Sequence, residues 1–183
     1  MDRKEAYQLL KEHLQQRNLV KHCLAVEAVM KGLAEHLEQD VEKWGLAGLL
    51  HDIDYDQTYE DPAQHSMIGA DMLKEFGLDE DIVYAVRVHN EAHGLPRKSL
   101  LDKALYASDP LTGLIVAAAL IHPDKKLAAI DTQFVLNRFG EKSFARGADR
   151  DQISSCGELG MELEEFITIG LEAMQDAHKE LGL

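Results

Sequence analysis

Leu46-Ala47-Gly48-Leu49-Leu50-His51-Asp52-Ile53-Asp54 is a run of small and apolar residues that ends in an imidazole beside a carboxylate. The apolar part belongs in a core. A polar group buried there without a partner costs on the order of 2–7 kcal/mol, and a charge costs more. A chain that puts His51 and Asp52 at the end of its most apolar early helix must compensate them in place, and a metal ion is an economical way to do so. The rest of the chain is then expected to supply further ligands and a wall around them.

Outward from this stretch, apolar residues recur at three- and four-residue spacing and no alternating strand of useful length is found, which predicts an all-α protein. The pattern predicts helices over about 4–14, 19–37 and 41–52. Gly45 and Gly48 share one face of the third, which points to close approach of another helix or a ligand. The acidic stretch Tyr55–Glu60 reads as a solvated loop, with a lid over the site as the alternative. Asp61-Pro62-Ala63-Gln64 carries the marks of a helix start, with Asp at the N-cap, Pro at the first position and Gln closing a capping box. That helix would run to Gly77 with His65, Gly69, Met72, Leu73 and Phe76 on one face. Another begins near Asp79 and ends near Gly94, with Ile82, Ala85, Val86 and His89 aligned. A further helix from Ser99 should bend or break at Pro110. Leu114–Ile121 then reads as a separate core helix, and the chain ends in shorter helices, the last over about 162–181.

The 183 residues suit one domain with a substantial core. No run of about 18 apolar residues is present, so no membrane span is expected. The start, Met1-Asp2-Arg3-Lys4-Glu5, runs into charged helix formers rather than a signal peptide. Cys23 and Cys156 are too few and too far apart for a disulfide framework, which predicts buried thiols and a cytoplasmic location. The net charge of −14 argues against nucleic acid as a partner, because phosphate contacts need clustered Lys and Arg. It would repel a small phosphate ester too, unless bound cations reverse the sign locally. Two divalent ions would supply about +4.

Five helices each place a titratable group on a face otherwise apolar: His22, His51 with Asp52, His65, His89 and Asp109. A single histidine of this kind is ordinarily a satisfied core residue. Five coincidences call for a joint explanation, either a metal-ligand set or a buried hydrogen-bonded network without metal. Imidazole with carboxylate suits iron or manganese, with zinc, cobalt, nickel or magnesium as alternatives.

The order His22, His51-Asp52, Asp109 resembles the H…HD…D pattern of the HD superfamily of metal-dependent phosphohydrolases. His65 and His89 resemble the added histidines of its dinuclear members, such as the symmetrical dinucleoside-tetraphosphate hydrolases and the HD-GYP phosphodiesterases. The resemblance spans about residues 15–115 and implies an HD-domain helical bundle, expected over 1–121; residues 122–183 are expected to form a C-terminal helical extension packed on it as one compact unit. It implies that His22, His51, Asp52 and Asp109 hold one metal, and that Asp52 bridges to a second held by His65 and His89. It further implies that a metal-bound hydroxide attacks a phosphate ester or anhydride of a nucleotide or other small metabolite, with Asp52 and His51 at the catalytic centre. Two alternatives stand beside it: a mixed-valent di-iron oxygenase on the same ligands, and a non-catalytic module that binds metal or nucleotide.

The chain departs from that family at two places. Where many relatives continue His-Asp-Ile-Gly-Lys, this one has His51-Asp52-Ile53-Asp54-Tyr55, so the lysine often found near the phosphate is absent. The segment His89-Asn90-Glu91-Ala92-His93-Gly94 does not continue into the HD-GYP pattern, which argues against cyclic dinucleotides. His93, Arg97 and Lys98 are candidate substrate contacts, and an ordinary basic loop is the alternative for the last two. Asp54 is either an acceptor orienting a ligand histidine or a helix-end residue. Met161, Leu163, Phe166, Ile167 and Met174 predict a core contribution or a homodimer face.

Overall fold

A computed structural model describes residues 1–183 as α-helices and short 3-10 turns without strands. The helices are α1 (Arg3–His13), α2 (Arg17–His36), α3 (Val41–Leu50), α4 (Tyr55–Thr58), α5 (Met67–Glu75), α6 (Glu80–Val88), α7 (Leu100–Ile121), α8 (Thr132–Gly140), α9 (Arg150–Ser154), α10 (Leu163–Asp176) and α11 (His178–Leu181). Local chemistry sets their starts. Asp2 and Glu5 form a reciprocal capping box on α1, as Ser99 and Asp102 do on α7, and Asp40 caps α3 by accepting from Lys43 N at 3.0 Å.

The longest helices, α2 and α7, form the centre, and α3, α6 and α10 pack around them. Helix α3 lies very close to α2. A Cβ added at Gly48 would stand 2.8 Å from the Val26 carbonyl oxygen and 2.9 Å from Glu27 Cα, so only glycine permits this approach. The close packing brings His51, three residues further on, beside His22, with ring centroids 5.1 Å apart.

Several expectations need correction. The start signal at Asp61 makes its local bonds, with Ala63 N and the Gln64 side chain both reaching the Asp61 carboxylate, but these close turns rather than a helix. Helix α5 begins only after Ser66, whose φ of 70° is left-handed, so His65 sits in the turn before the helix and not on its face. Within the acidic stretch, Tyr55–Thr58 is a helical turn.

Pro110 does not break its helix: α7 runs unbroken for 22 residues. Proline removes the N–H that would bond the carbonyl four residues back. That carbonyl, Tyr106 O, instead accepts from the side-chain amide of Gln152 at 2.8 Å. By length and composition the continuous α7 could cross a membrane, with a mean hydropathy of 1.6 over its most apolar window, but 67% of that window is buried inside this bundle.

The last long helix stops at Asp176, and α11 follows as a separate turn. Met161, Phe166, Ile167 and Met174 are buried in the core and Leu163 packs at its edge.

Candidate metal centre

Four imidazoles converge on one carboxylate. The Nε2 atoms of His51, His65 and His89 stand 3.4, 3.3 and 3.4 Å from Asp52 Oδ1, and His22 Nε2 is 3.7 Å from Asp52 Oδ2. Asp109 closes the near side, with its Oδ1 3.0 Å from His22 Nε2 and 3.9 Å from His51 Nε2. The rings follow one another edge to face around Asp52, with successive centroids 5.1 Å apart from His22 to His51, His89 and His65. All six residues expected from the sequence are therefore in one place.

Each imidazole is held by its other nitrogen. His51 Nδ1 bonds Gly48 O at 2.8 Å and His89 Nδ1 bonds Val86 O at 2.7 Å, both three residues back at the end of a helix where carbonyls lack intrahelical donors. His65 Nδ1 bonds Asp54 Oδ1 at 2.9 Å. His22 Nδ1 lies 3.2 Å from Thr112 Oγ1, whose hydroxyl proton is donated to Asp109 O, so the threonine oxygen accepts from the ring. In every case Nδ1 carries the proton to a protein acceptor and Nε2 faces Asp52. This arrangement fixes the tautomer that a metal ligand needs.

The Nε2 atoms of His51 and His89 are fully buried and have no hydrogen-bond partner. Nitrogen and carboxylate donors aimed at a common point, two of them buried and unpaired, fit a divalent transition metal. His22, His51 and Asp109 have ligand atoms mutually within 4.8 Å, and so do His51, Asp52 and His89.

The electrostatics act on the imidazoles in opposite directions and keep Asp52 ionised. Burial pulls the His51 imidazole down to about 4, against the opposing pull of Asp52 and Asp109. Burial also works against charge on His65, but its bonds to Asp52 and Asp54 prevail and push it up to about 10. On His22 burial is likewise outweighed by Asp109, which leaves the ring more basic than usual. Burial would raise Asp52, yet the surrounding imidazoles hold its carboxyl well below the usual range.

Asp54 is the acceptor that orients His65. Its Oδ2 also takes Ser66 N at 2.9 Å and Gly69 N at 2.7 Å, so one buried carboxylate secures the left-handed Ser66, the start of α5 and the His65 ring. His93 does not continue the face of His89, because the chain turns extended at Asn90. Its Nε2 meets His65 O at 2.7 Å, beside Asn90, whose amide reaches Pro62 O and His65 O. His93 thus braces the turn that carries His65. The Arg97 guanidinium lies 3.6 Å from the centroid of the Tyr106 ring, and Lys98 Nζ 4.9 Å from that of Tyr84. Neither side chain bonds to the cluster.

Sequence reasoning missed Thr112 and Asn90. Thr112 could have been suspected from its place one helical turn after Asp109, whereas the role of Asn90 depends on a contact across 25 residues. A cavity of about 520 Å³ between α2 and α10 contains none of the six clustered residues. Its Glu27 is held by Arg3 at 2.6 Å and Lys31 at 2.8 Å.

The family model described as HD domain matches residues 19–120. Ribonuclease Y of Nitratidesulfovibrio vulgaris strain DP4 is 36% identical over 97 residues, which are 53% of this chain and 18% of that protein. Ribonuclease Y of Desulfotalea psychrophila is 35% identical over 140 residues, 74% of this chain and 26% of that one. The uncharacterized protein MJ0778 of Methanocaldococcus jannaschii is 33% identical over 129 residues, 68% of this chain and 74% of that protein. The match therefore covers about a fifth to a quarter of the two ribonucleases and most of the third relative.

Proposed function

The chain belongs to the HD-domain family, and on that basis we propose that the cluster is a two-metal centre for hydrolysis of a phosphate ester or anhydride of a nucleotide or another small phosphorylated compound. The observation that carries this reading is the set of four imidazoles turned on Asp52, each with Nδ1 tied away and two with buried, unpaired Nε2 atoms. His22, His51, Asp52 and Asp109 would hold one ion, and Asp52, His65 and His89 the other. Iron or manganese suits these donors best. When bound, such ions activate water near neutral pH and polarise phosphoryl oxygens.

The protein's own part is to keep the donors aligned and the site screened from bulk water. Asp52 lies between the imidazoles and can serve both ions. Gly48 O, Val86 O, Asp54 and Thr112 set the rings before any ligand arrives, so little reorganisation is needed. With a net charge of −14, cations at this point offset the repulsion of a phosphate. The free, buried Cys23 and Cys156 suit a reducing compartment such as the cytoplasm.

The likeness to proteins named Ribonuclease Y favours a second reading, a phosphodiester in RNA. The acidic charge balance weighs against a long strand and for a compact substrate.

One experiment tests the reading. The chain is purified without added metal or chelator, its metal is counted per chain, and nucleotides, sugar phosphates and a short RNA are assayed beside oxygen uptake. About two ions per chain with turnover of a compact phosphate ester is the expected result. Cleavage of RNA alone moves the substrate to the second reading, and oxygen consumption without hydrolysis overturns both. Asp52→Ala should lose at least a hundredfold in metal-dependent rate with helix content intact. Full turnover in that variant would sink the two-metal proposal. His36→Ala, whose 3.4 Å ion pair with Glu165 is solvent-exposed, should stay within twofold of the wild type.

A further inference from the structure

A cleft of about 280 Å³ opens directly on the cluster. His22 and Asp109 form its floor, Pro110 and Gly113 one wall, and Ala145, Gly147 and Ala148 the other. The floor residues lie against the buried, unpaired Nε2 of His51, so the cleft leads to the clustered nitrogen and carboxylate donors.

Gly113 stands in the interior of α7, one turn after Asp109 and on its face. Glycine there weakens a helix, and packing does not demand it, because a Cβ at this position would meet nothing within 4 Å. Gly147, across the cleft, also has open space around it. The space these glycines leave is therefore not filled by the protein.

The far wall is built rather than loose. The Arg150 guanidinium donates to Ala145 O at 2.8 Å and Phe144 O at 2.7 Å, and also to Ala148 O, gathering the loop around one cation. Burial holds Arg150 below its usual value, and it remains charged under all ordinary conditions.

We infer that this cleft receives the organic part of the phosphate ester, and that Gly113 and Gly147 set the size of group admitted. The walls carry no aromatic ring, and the one ring at the cleft, His22, lies on its floor within the cluster, so the walls offer no face on which a nucleobase would stack. The group it fits is a compact alcohol of about the size of a ribose. This assignment rests on the phosphohydrolase reading for its chemistry, although the cleft can be tested by binding alone.

The test uses the metal-loaded full chain and calorimetric titration with two probes, inorganic phosphate and a non-hydrolysable ribose phosphonate. The wild type should bind the phosphonate at least tenfold more tightly than phosphate. Gly113→Leu should abolish that preference while phosphate affinity and metal content stay within twofold. Gly147→Leu, from the opposite wall, should do the same and guards against a folding defect in the helix variant. Gly113→Ala should keep most of the preference and raise Tm by about 2–4 °C through its better helix propensity.

Equal affinity of the wild type for the two probes, or an undiminished preference in both leucine variants, overturns the inference. Turnover of phosphate esters alongside that result leaves the hydrolase reading standing. A preference lost in both leucine variants, without turnover of any ester, upholds the cleft and removes the reaction.

Discussion

At the scale of single residues, Asp54 shows how the centre is made from contacts remote in sequence. Its buried carboxylate accepts from His65 Nδ1, Ser66 N and Gly69 N. Ser66 is a non-glycine residue with a φ of 70°, a conformation that costs on the order of 1–2 kcal/mol and persists only where the surroundings impose it. Asp54→Ala takes the acceptor from all three donors at once. The expected loss is on the order of 3 kcal/mol of stability, because two backbone donors are left unpaired, together with a 10- to 100-fold loss of metal affinity. Denaturant unfolding and metal titration measure the two effects, and wild-type metal affinity in the variant would refute the orienting role. The residue types of the cluster were legible in the sequence, since histidines and aspartates on apolar faces stand out against their surroundings. The seat of His65 was not. Asp61-Pro62-Ala63-Gln64 satisfies every local rule for a helix start, but contacts remote in sequence, from the Asp54 carboxylate 11 residues before His65 and from Asn90 and His93 after it, hold a turn there and the helix starts only at Met67.

At the scale of elements, the same lesson applies to α7. Pro110 is a strong local breaker, and a reading confined to neighbours divides this helix in two. The structure keeps it whole because Gln152, on α9, donates to the Tyr106 carbonyl that the proline leaves free. That compensation lies 46 residues away and leaves no mark near the proline. Gln152→Ala should therefore cost about 1–3 kcal/mol, the price of a buried unpaired carbonyl. Gln152→Glu should cost at least as much, since a carboxylate offers no donor to Tyr106 O. Urea unfolding midpoints give the comparison. A neutral Gln152→Glu would show that the contact has no energetic role. Because Asp109 immediately precedes Pro110, both variants should weaken metal binding in step with the loss of stability. The features of α2 and α3 were far more legible. Gly48 on one face of α3 announced close approach of another helix or a ligand from local pattern alone, and its position against Val26 O shows that it is the helix.

At the scale of the whole molecule, the question is whether residues 122–183 are an appendage or part of the bundle. The family match ends at residue 120, yet the core does not. A Cβ at Gly170 would stand 2.8 Å from the Leu111 side chain and within 3.7 Å of Val29, so α10 lies directly on both central helices. Phe166, Ile167, Leu171 and Met174 are buried from this face. Burying each contributes about 1.5–3 kcal/mol, so the four together contribute roughly 6–12 kcal/mol. The whole stability of a domain of this kind is about 5–15 kcal/mol. Removal of the extension also withdraws Gln152 from Tyr106 O and takes away the far wall of the cleft together with the Arg150 that gathers it. We therefore propose that residues 1–121 do not form an independent domain, and expect a chain ended at Ile121 to lack a cooperative thermal transition and to expose apolar surface to a hydrophobic dye. The full chain should melt in a single transition, and metal at a hundred times its dissociation constant should add about 2.7 kcal/mol to its stability. A truncated chain that melts cooperatively and still takes up metal would show that the centre is self-sufficient. The extension would then have to be explained by the cleft alone, because the cleft's far wall, Ala145 to Ala148, comes entirely from it.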